Sequence, residues 1–277
     1  RMWHGHAWER WSLTTSYRIT RQMAAFVNAL TRIGNMDAPI MRAIKDGPMP
    51  VYMYSDVFKL AARIEATAVL DPGDVFVLAK SVRQHTDSGR RGDQRGVIAQ
   101  LVDHLSRMNV LLYVPTSDSA VPDSKVTRGK LVFSTFHQAK GLERKHVFVI
   151  GFDESQVNSE ASTLRCSNEM DVACTRASET LTVWHNVGNK FGRQVTMRGP
   201  LPFLPGTLLD GVCEYWPTRP NIARMRAAAE IKLHRHLHFD GVTDMLRHLQ
   251  DVYVKLAVSR ARVTEVERDG DGLFITI

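Results

Sequence analysis

The fold class can be predicted from two features of the sequence. Continuous apolar runs such as VFVLA at 75–79 fit strands that are covered on both faces, as in a parallel sheet. These runs alternate along the chain with stretches whose apolar residues recur at helical spacing. Because each connection between parallel strands lays a helix on one face, the alternation predicts an α/β fold, with a parallel sheet and helices on both faces.

Local patterns define the elements of the first hundred residues. Apolar residues at 19–30 recur at helical spacing, and Gly34 ends that helix. A strand is expected at 51–54, and after it a helix capped by Ser55. Residues 72–74, Pro-Gly-Asp, predict a turn.

The alternation continues as far as residue 187. Helices are expected where apolar residues share one stripe, at 98–108 and at 168–180. Strands are expected at the apolar runs 110–114, 131–134, 147–150 and 181–184.

From residue 188 onward the alternation stops. Five prolines between 200 and 220 interrupt the chain, and a helix is expected near 222–237. The stretch 269–272, Asp-Gly-Asp-Gly, predicts a hairpin turn. We therefore expect a domain at 1–187 and a small C-terminal extension, or an incomplete second module, at 188–277.

Composition restricts the class of protein. A chain of 277 residues with 44% hydrophobic residues can bury a sizeable core. No apolar run approaches the roughly 20 residues that span a bilayer, and the start has no signal-peptide core. We expect a soluble intracellular protein of the cytoplasm or nucleus, without a membrane partner. The sequence begins without Met and ends within the apparent strand GLFITI, so we interpret it as a fragment.

Cysteine content and charge narrow the class further. The three cysteines show no Cys-x-x-Cys spacing, which predicts neither a disulfide framework nor a zinc site and favours a reducing compartment. The formal net charge is +7 and the isoelectric point is near 9.5. This excess of positive charge favours a polyanionic partner such as nucleic acid or a nucleotide.

The segment STFHQAKGLE, residues 134–143, leads out of a predicted strand and carries four kinds of functional group. They are the hydroxyl of Thr135, the imidazole of His137, the ammonium of Lys140 and the carboxylate of Glu143. We expect this turn at the carboxyl ends of the strands, where open parallel sheets bind ligands.

The chemistry of this turn suits a nucleotide. A helix beginning near Gln138 would offer backbone N–H groups to a phosphate, Gly141 would permit close approach, and Glu143 could accept hydrogen bonds from a ribose. The same residues also fit a surface turn with a capping threonine and a solvated Lys-Glu pair.

Two further stretches favour the nucleotide interpretation. In the predicted helix 168–180, Arg176 lies on the flank of a buried stripe, from where an arginine can reach a phosphate. Tyr17 and Arg18 precede the first helix and would offer a ring to a base and a planar fork to phosphate oxygens. Taken singly, Tyr17 also fits a core position and Arg18 a surface charge.

In this order, the three stretches resemble motifs of the UvrD/Rep-like superfamily 1 DNA helicases. LTTSYRIT is similar to motif IV, STFHQAKGLE to motif V, and EMDVACTRASETL to motif VI, where the family reads Tyr-Val-Ala-x-Thr-Arg-Ala. The resemblance covers about residues 11–187. It implies the second RecA-like motor domain, called 2A, of an ATP-driven 3′-to-5′ translocase on single-stranded DNA.

The resemblance also implies roles for individual side chains. Tyr17 would stack on adenine, Arg18 would contact the γ-phosphate, and Glu143 would hold the ribose beside Gly141. Arg176 would act as the arginine finger. Arg18 and Arg176 are thus the candidate catalytic residues, because phosphoryl transfer requires positive charge at the γ-phosphate.

The DNA contacts are implied in the same way. Thr135 and His137 would contact the backbone of single-stranded DNA, with Lys140 as a further contact. Many relatives insert a 2B subdomain where only residues 115–129 stand here, so we expect 2B to be absent.

The chain contains no Gly-x-x-x-x-Gly-Lys-Ser/Thr loop, which cradles the β-phosphate and seats Mg²⁺. We therefore expect ATP and Mg²⁺ as cofactors, the Mg²⁺ ligands in an N-terminal Walker A domain of the same protein, and no hydrolysis by this chain alone. Asp153 and Glu154 imitate the end of a Walker B strand but are interpreted as the strand exit after motif V.

A second function class stays open: a nucleic-acid-binding module that keeps the helicase fold without ATPase activity, with or without a C-terminal nuclease remnant. Asp210, Glu230 and Lys232 echo an Asp…Glu-x-Lys nuclease pattern, although positions i and i+2 on a helix point about 200° apart. Four histidines of the C-terminal extension are interpreted as a basic surface, and no metal site is expected: His234, His236, His238 and His248, called the tail histidines. DNA substrates of repair, replication and recombination are all compatible with the helicase interpretation.

Overall fold

The computed structural model describes most of the first 187 residues and parts of the remainder. The described ranges are 14–34, 40–69, 71–82, 96–153, 168–187, 190–191, 194–195, 199–201, 209–217, 265–269 and 272–276.

The elements follow one another in the predicted alternation. The first half contains β1 (Thr15–Thr20), α1 (Arg21–Gly34), β2 (Arg42–Lys45), β3 (Val51–Ser55), α2 (Val57–Ala68), a 3-10 turn (Pro72–Asp74), β4 (Val75–Ala79) and α3 (Val97–Arg107). The second half contains β5 (Leu112–Tyr113), α4 (Ser124–Thr127), β6 (Leu131–Thr135), β7 (Arg144–Ile150), α5 (168–174) and β8 (Ala177–Asn186). Five short strands follow: β9 (Lys190–Phe191), β10 (Gln194–Val195), β11 (Glu214–Trp216), β12 (Glu265–Asp269) and β13 (Gly272–Thr276).

The main sheet has seven strands in the order β11-β3-β8-β7-β4-β6-β5. Every neighbouring pair in it is parallel. The strands β1 and β2 form a separate parallel pair. The predicted α/β fold class, a parallel sheet with helices on both faces, is confirmed.

Two hydrophobic cores cover the two faces of the sheet. Along β4, Phe76 and Leu78 pack into the core that contains α1 and α5, whereas Val75 and Val77 pack into the core that contains α2 and α3. Since side chains alternate between the faces of a strand, a strand with a core on each face must be apolar at every position. All five residues of β4 are buried, as their apolar run predicts.

Several predicted boundaries are wrong by a few residues. The cap of α2 is Asp56, whose carboxylate accepts a hydrogen bond from Lys59 N at 2.9 Å, because Ser55 still belongs to β3. Ile19 is part of β1 and not of the first helix. Met108 follows α3 and is 50% exposed, so it does not continue the buried stripe.

The predicted helix at 168–180 is too long. It ends at residue 174, and Ala177 already begins β8, which runs ten residues through the sheet. In β8, Ala177 lies opposite Arg144 and Leu181 lies opposite Val147 of β7. The backbone groups of β8 form hydrogen bonds with the strands on both sides. A longer helix would use the same backbone groups for bonds within the helix and would leave the neighbouring strands unpaired.

Part of the chain beyond residue 187 belongs to the same sheet. β11 pairs with β3, and Leu209 and Cys213 pack into the core that contains α1. The sheet therefore extends past the boundary predicted at 187.

The last described strands form a pair of their own. β12 and β13 are antiparallel, with Asp269 opposite Gly272, as expected for a hairpin. The helix predicted at 222–237, with Glu230, Lys232 and the tail histidines, lies outside the described residues. Within the described ranges, no helix has the length and apolar character needed to cross a membrane.

Candidate functional site

The segment between β6 and β7 passes from the carboxyl ends of the strands to their amino ends. β6 ends at Thr135 and β7 begins at Arg144; both strands run in the same direction, with β4 between them. The chain must therefore pass from the carboxyl end of β6 to the amino end of β7. The prediction that the entire turn lies at the carboxyl ends is wrong for Glu143, which lies at the opposite end from Thr135. Residues 136–141 form turns and not the helix expected near Gln138.

Three charged side chains meet at the amino ends of β7 and β8. Arg18 Nη1 lies 3.6 Å from Glu143 Oε2. Arg176 occupies the turn between α5 and β8, immediately before the first residue of β8. We call Arg18, Glu143 and Arg176 the amino-end cluster. The structure thus brings together three predicted nucleotide-binding residues from distant parts of the sequence.

Backbone groups hold Arg176 in place. Its Nε donates to Val172 O at 2.9 Å, and its Nη1 donates to Leu142 O at 3.4 Å. Its own carbonyl accepts a hydrogen bond from Arg144 N at 3.1 Å. These contacts fix Arg176 against the end of the segment 136–143. Arg176 itself lies in a turn and not on the flank of the predicted helix.

The amino-end cluster contains a like-charge pair. The pKa of the Arg176 guanidinium is lowered, first by burial and then by the positive charge of Arg18, while Asp171 and Glu143 act in the opposite direction. The Nε of Arg18 is buried and has no hydrogen-bond partner among the described residues. Two like charges that interact, one of them with a buried N–H that is unpaired within the described ranges, favour the binding of an anion beside them.

Tyr17 presents its ring to solvent beside this cluster. Its exposed fraction is 79%, which excludes the alternative of a core position. Because neighbouring side chains of a strand point to opposite faces, Tyr17 and the half-buried Arg18 leave β1 in different directions. The hydroxyl of Ser16 accepts a hydrogen bond from Arg18 N at 3.4 Å.

Gly141 gives the segment its bend before Glu143. Its φ is +88°, in the left-handed region that glycine adopts without strain. A Cβ atom at this position would meet no heavy atom within 4 Å. The requirement for glycine is therefore conformational, and the surface of the turn is open.

The carboxyl end of β6 carries a second group of polar side chains. Thr135 is buried, and its Oγ1 accepts a hydrogen bond from Gln138 N at 3.2 Å. The ring of His137 is largely exposed, with Nε2 3.2 Å from Glu169 Oε1 of α5. We call Asp118, Thr135, His137 and Glu169 the carboxyl-end group. Lys140 is exposed on the same segment.

Two members of this group were missed by sequence reasoning. The carboxylate of Asp118 accepts from Ser81 Oγ and from Val82 N, each at 2.7 Å, and its carbonyl lies 3.5 Å from Thr135 Oγ1. No local pattern marks Asp118, because its partners are distant in sequence. Glu169 could have been found, since it stands in the stretch compared with motif VI.

Asp153 lies at the exit of β7, as interpreted from the sequence. It is fully buried and accepts a hydrogen bond from Asn186 N at 3.3 Å. Glu154 lies outside the described residues. Among the described residues, no three His, Cys, Asp or Glu side chains group in a way that could hold a metal ion.

Comparison with known proteins shows similarity in structure and none in sequence. Neither the protein-family models nor the curated proteins contain a match to the sequence. Among solved structures, the chain is similar to the C-terminal domain of a possible DNA helicase from Lactobacillus plantarum WCFS1, at 14% identity and a TM-score of 0.44. The match covers 72% of this chain and 98% of the other. A similarity this low carries no conclusion about activity.

Proposed function

We propose that this chain is the second motor domain of an ATP-dependent 3′-to-5′ DNA helicase or translocase. The observation that carries the proposal is the amino-end cluster, in which Arg18 from β1 lies 3.6 Å from Glu143, and Arg176 from the turn before β8 donates to Leu142 O. The sequence motifs predict these residues to act together, and these contacts at the end of one segment support the proposal.

The charges of the cluster suit a triphosphate. The positive charge of Arg18 lowers the pKa of the half-buried Arg176, while Asp171 and Glu143 raise it. A γ-phosphate beside the two arginines would add negative charge and would receive the positive charge that phosphoryl transfer needs. In this proposal Arg176 is the arginine finger and Arg18 is the second catalytic arginine.

The remaining nucleotide contacts would come from side chains around the cluster. The exposed ring of Tyr17 would stack on adenine, and Glu143 would accept hydrogen bonds from the ribose. Gly141 leaves the surface beside Glu143 open to the sugar. The P-loop and the Mg²⁺ ligands would come from a Walker A domain of the same protein. When bound, ATP and Mg²⁺ supply the reacting phosphate and its charge neutralisation.

Single-stranded DNA would lie at the other end of the segment. His137 and Lys140 are exposed there and would contact the phosphate backbone. The hydroxyl of Thr135 already accepts from Gln138 N, so Thr135 would act mainly by holding the turn that presents His137. One segment of eight residues, 136–143, would thus connect the two ligands.

The experiment that tests this function uses the complete protein, including its Walker A domain. A labelled oligodeoxythymidylate is titrated with and without a non-hydrolysable ATP analogue, and ATP turnover is measured with and without the oligonucleotide. A motor domain predicts that each ligand changes the affinity of the other, typically by about 5- to 150-fold. The passive nucleic-acid-binding module predicts DNA binding that ignores the analogue.

A further inference from the structure

A cavity of about 480 Å³ lies at the amino ends of β4 and β6, outside the amino-end cluster and the carboxyl-end group. Its walls come from the 3-10 turn before β4, from α4 and the chain that follows it, and from the first residue of β7. The side chains that line it include Lys125, Thr127, Arg128 and Arg144.

Three of these side chains are cations. Lys125 and Arg128 are exposed, and within the part of the chain that the structure describes neither side chain forms an ion pair. The cavity is therefore positively charged on the side formed by α4.

Three acidic residues lie near the cavity. Asp71 accepts from Gly73 N and Asp123 accepts from Lys125 N, each at 2.8 Å, and Asp74 forms an ion pair with Lys145. These bonds leave the three carboxylates charged, and Asp74 and Asp71 act against the lowering of the Arg144 pKa. Lys145 and the three cations of the cavity carry four positive charges against these three negative charges, which leaves an excess of one positive charge.

Arg144 is fixed at the back of the cavity. Its Nη1 and Nη2 donate to Lys130 O and Thr127 O at 3.4 Å each, and its guanidinium lies 5.2 Å from the centre of the Phe76 ring. Burial lowers the pKa of this guanidinium. The two long bonds use only part of the donor capacity of a guanidinium, so Arg144 can still bind an anion.

We propose that this cavity binds a phosphate group of a nucleic-acid backbone. Arg144 provides a fixed planar donor, and Lys125 and Arg128 provide mobile charges at the entrance. The residues that line the cavity, all within the described ranges, include no aromatic side chain on which a base could stack. Binding is therefore independent of base sequence, and the net charge of +7 supports it at long range.

This proposal does not depend on the proposed ATP-driven function, because binding at the cavity requires no nucleotide. Arg144 adjoins the amino-end cluster, since its N–H donates to Arg176 O, and the test therefore changes Lys125.

The test compares Lys125→Glu with Lys59→Glu. Each lysine is exposed in the first turn of a helix and donates its backbone N–H to a capping aspartate, so the two variants change the same charge in matched settings. Both variants keep His137 and Lys140 at the other end of the sheet.

The measurement is the affinity of the chain for a fluorescent oligodeoxythymidylate over a salt series, without nucleotide. Lys125→Glu should lower affinity about tenfold at low salt and reduce the slope of log K against log salt by about 0.7, the value for one phosphate contact on a single strand. Lys59→Glu should change neither by a comparable amount.

Two outcomes would overturn the proposal. Equal losses in the two variants would mean that only net charge matters. A second arm measures inorganic pyrophosphate binding by calorimetry: if Lys125→Glu abolishes pyrophosphate binding and leaves oligonucleotide binding unchanged, the cavity is a site for a small anion and not for nucleic acid.

Discussion

The amino-end cluster and the carboxyl-end group lie at opposite ends of one segment and differ in how far the protein itself uses their polar atoms. In the carboxyl-end group, Thr135 caps a turn and Asp118 accepts three hydrogen bonds through its side chain and carbonyl. In the amino-end cluster, Arg18 Nε is buried and finds no hydrogen-bond partner in the described part of the chain, and the charge of Arg18 lowers the pKa of Arg176.

This difference separates a site that needs a ligand from a site that is built to hold a shape. Buried polar groups are normally hydrogen-bonded, so the Nε atom of Arg18, unsatisfied among the described residues, has a cost that the rest of the fold must offset. We therefore expect substitutions in the amino-end cluster to change chemistry. Substitutions in the carboxyl-end group should change DNA affinity or stability.

The largest effect is expected for Arg176→Ala in the complete protein. DNA-stimulated ATP turnover should fall about 10³-fold or more, the usual contribution of an arginine finger. The control is Arg107→Ala, which removes an exposed arginine at the end of α3. Arg176 also donates to Val172 O and Leu142 O, so thermal unfolding should confirm that the variant stays folded. Near-normal turnover would remove Arg176 from the proposed site.

A smaller effect on the same cluster is expected for Glu143→Gln. Nucleotide affinity should fall about tenfold, since a hydrogen bond to a charged group contributes about 1.5 kcal/mol or more. The variant should also lose any preference for ATP over dATP, because the proposed partner of the Glu143 carboxylate is the ribose 2′-hydroxyl that dATP lacks. Glu179→Gln, at an exposed position of β8, provides the matched control. Unchanged discrimination between ATP and dATP would contradict the ribose role.

At the other end of the segment, His137→Ala should weaken single-stranded DNA binding about fivefold, the equivalent of roughly 1 kcal/mol for one hydrogen bond. Affinity for the ATP analogue should not change. His104 is a close control, because its Nε2 lies 3.4 Å from Glu65 Oε2 in a similar histidine–glutamate pair between α2 and α3. Equal losses for both ligands in His137→Ala would indicate a structural role only.

The smallest functional effect is expected for Asp118→Ala. The substitution removes the acceptor of Ser81 Oγ and Val82 N and should lower the free energy of unfolding by about 1–3 kcal/mol. Denaturant unfolding measures this loss. The affinity for the ATP analogue should stay within twofold, which corresponds to about 0.4 kcal/mol, the size of effect expected from a substitution away from the binding site. A large loss of nucleotide affinity would show that the two ends are not separable.

The sheet could be predicted because burial on both faces leaves a local signature in the sequence. The runs at 75–79 and 131–134 are apolar at nearly every position and form β4 and β6. The error at 168–180 has a different cause. Ala177 and Leu181 are four residues apart, which fits one face of a helix and also one face of a strand, so periodicity alone could not assign β8.

The residues of the amino-end cluster could be named from the sequence, but their arrangement could not be predicted. Motif order identified Arg18, Glu143 and Arg176, and the fold brings them together. The assignment of Glu143 to the carboxyl ends was avoidable, because two consecutive parallel strands must be joined by a chain that returns to the amino end. The contacts of Asp118 could not be predicted, since they depend on how three loops pack at the end of the sheet.

The central claim is that the segment 136–143 binds nucleotide at one end and single-stranded DNA at the other. Its most direct test is hydrogen exchange in the complete protein with one ligand at a time. The ATP analogue alone should slow exchange at 141–143 and 176–178, around Glu143 and Arg176 of the amino-end cluster. The oligodeoxythymidylate alone should slow exchange at 135–140, where Gln138 N donates to Thr135 Oγ1. Protection of the same amides by both ligands, or the reverse assignment, would contradict the account.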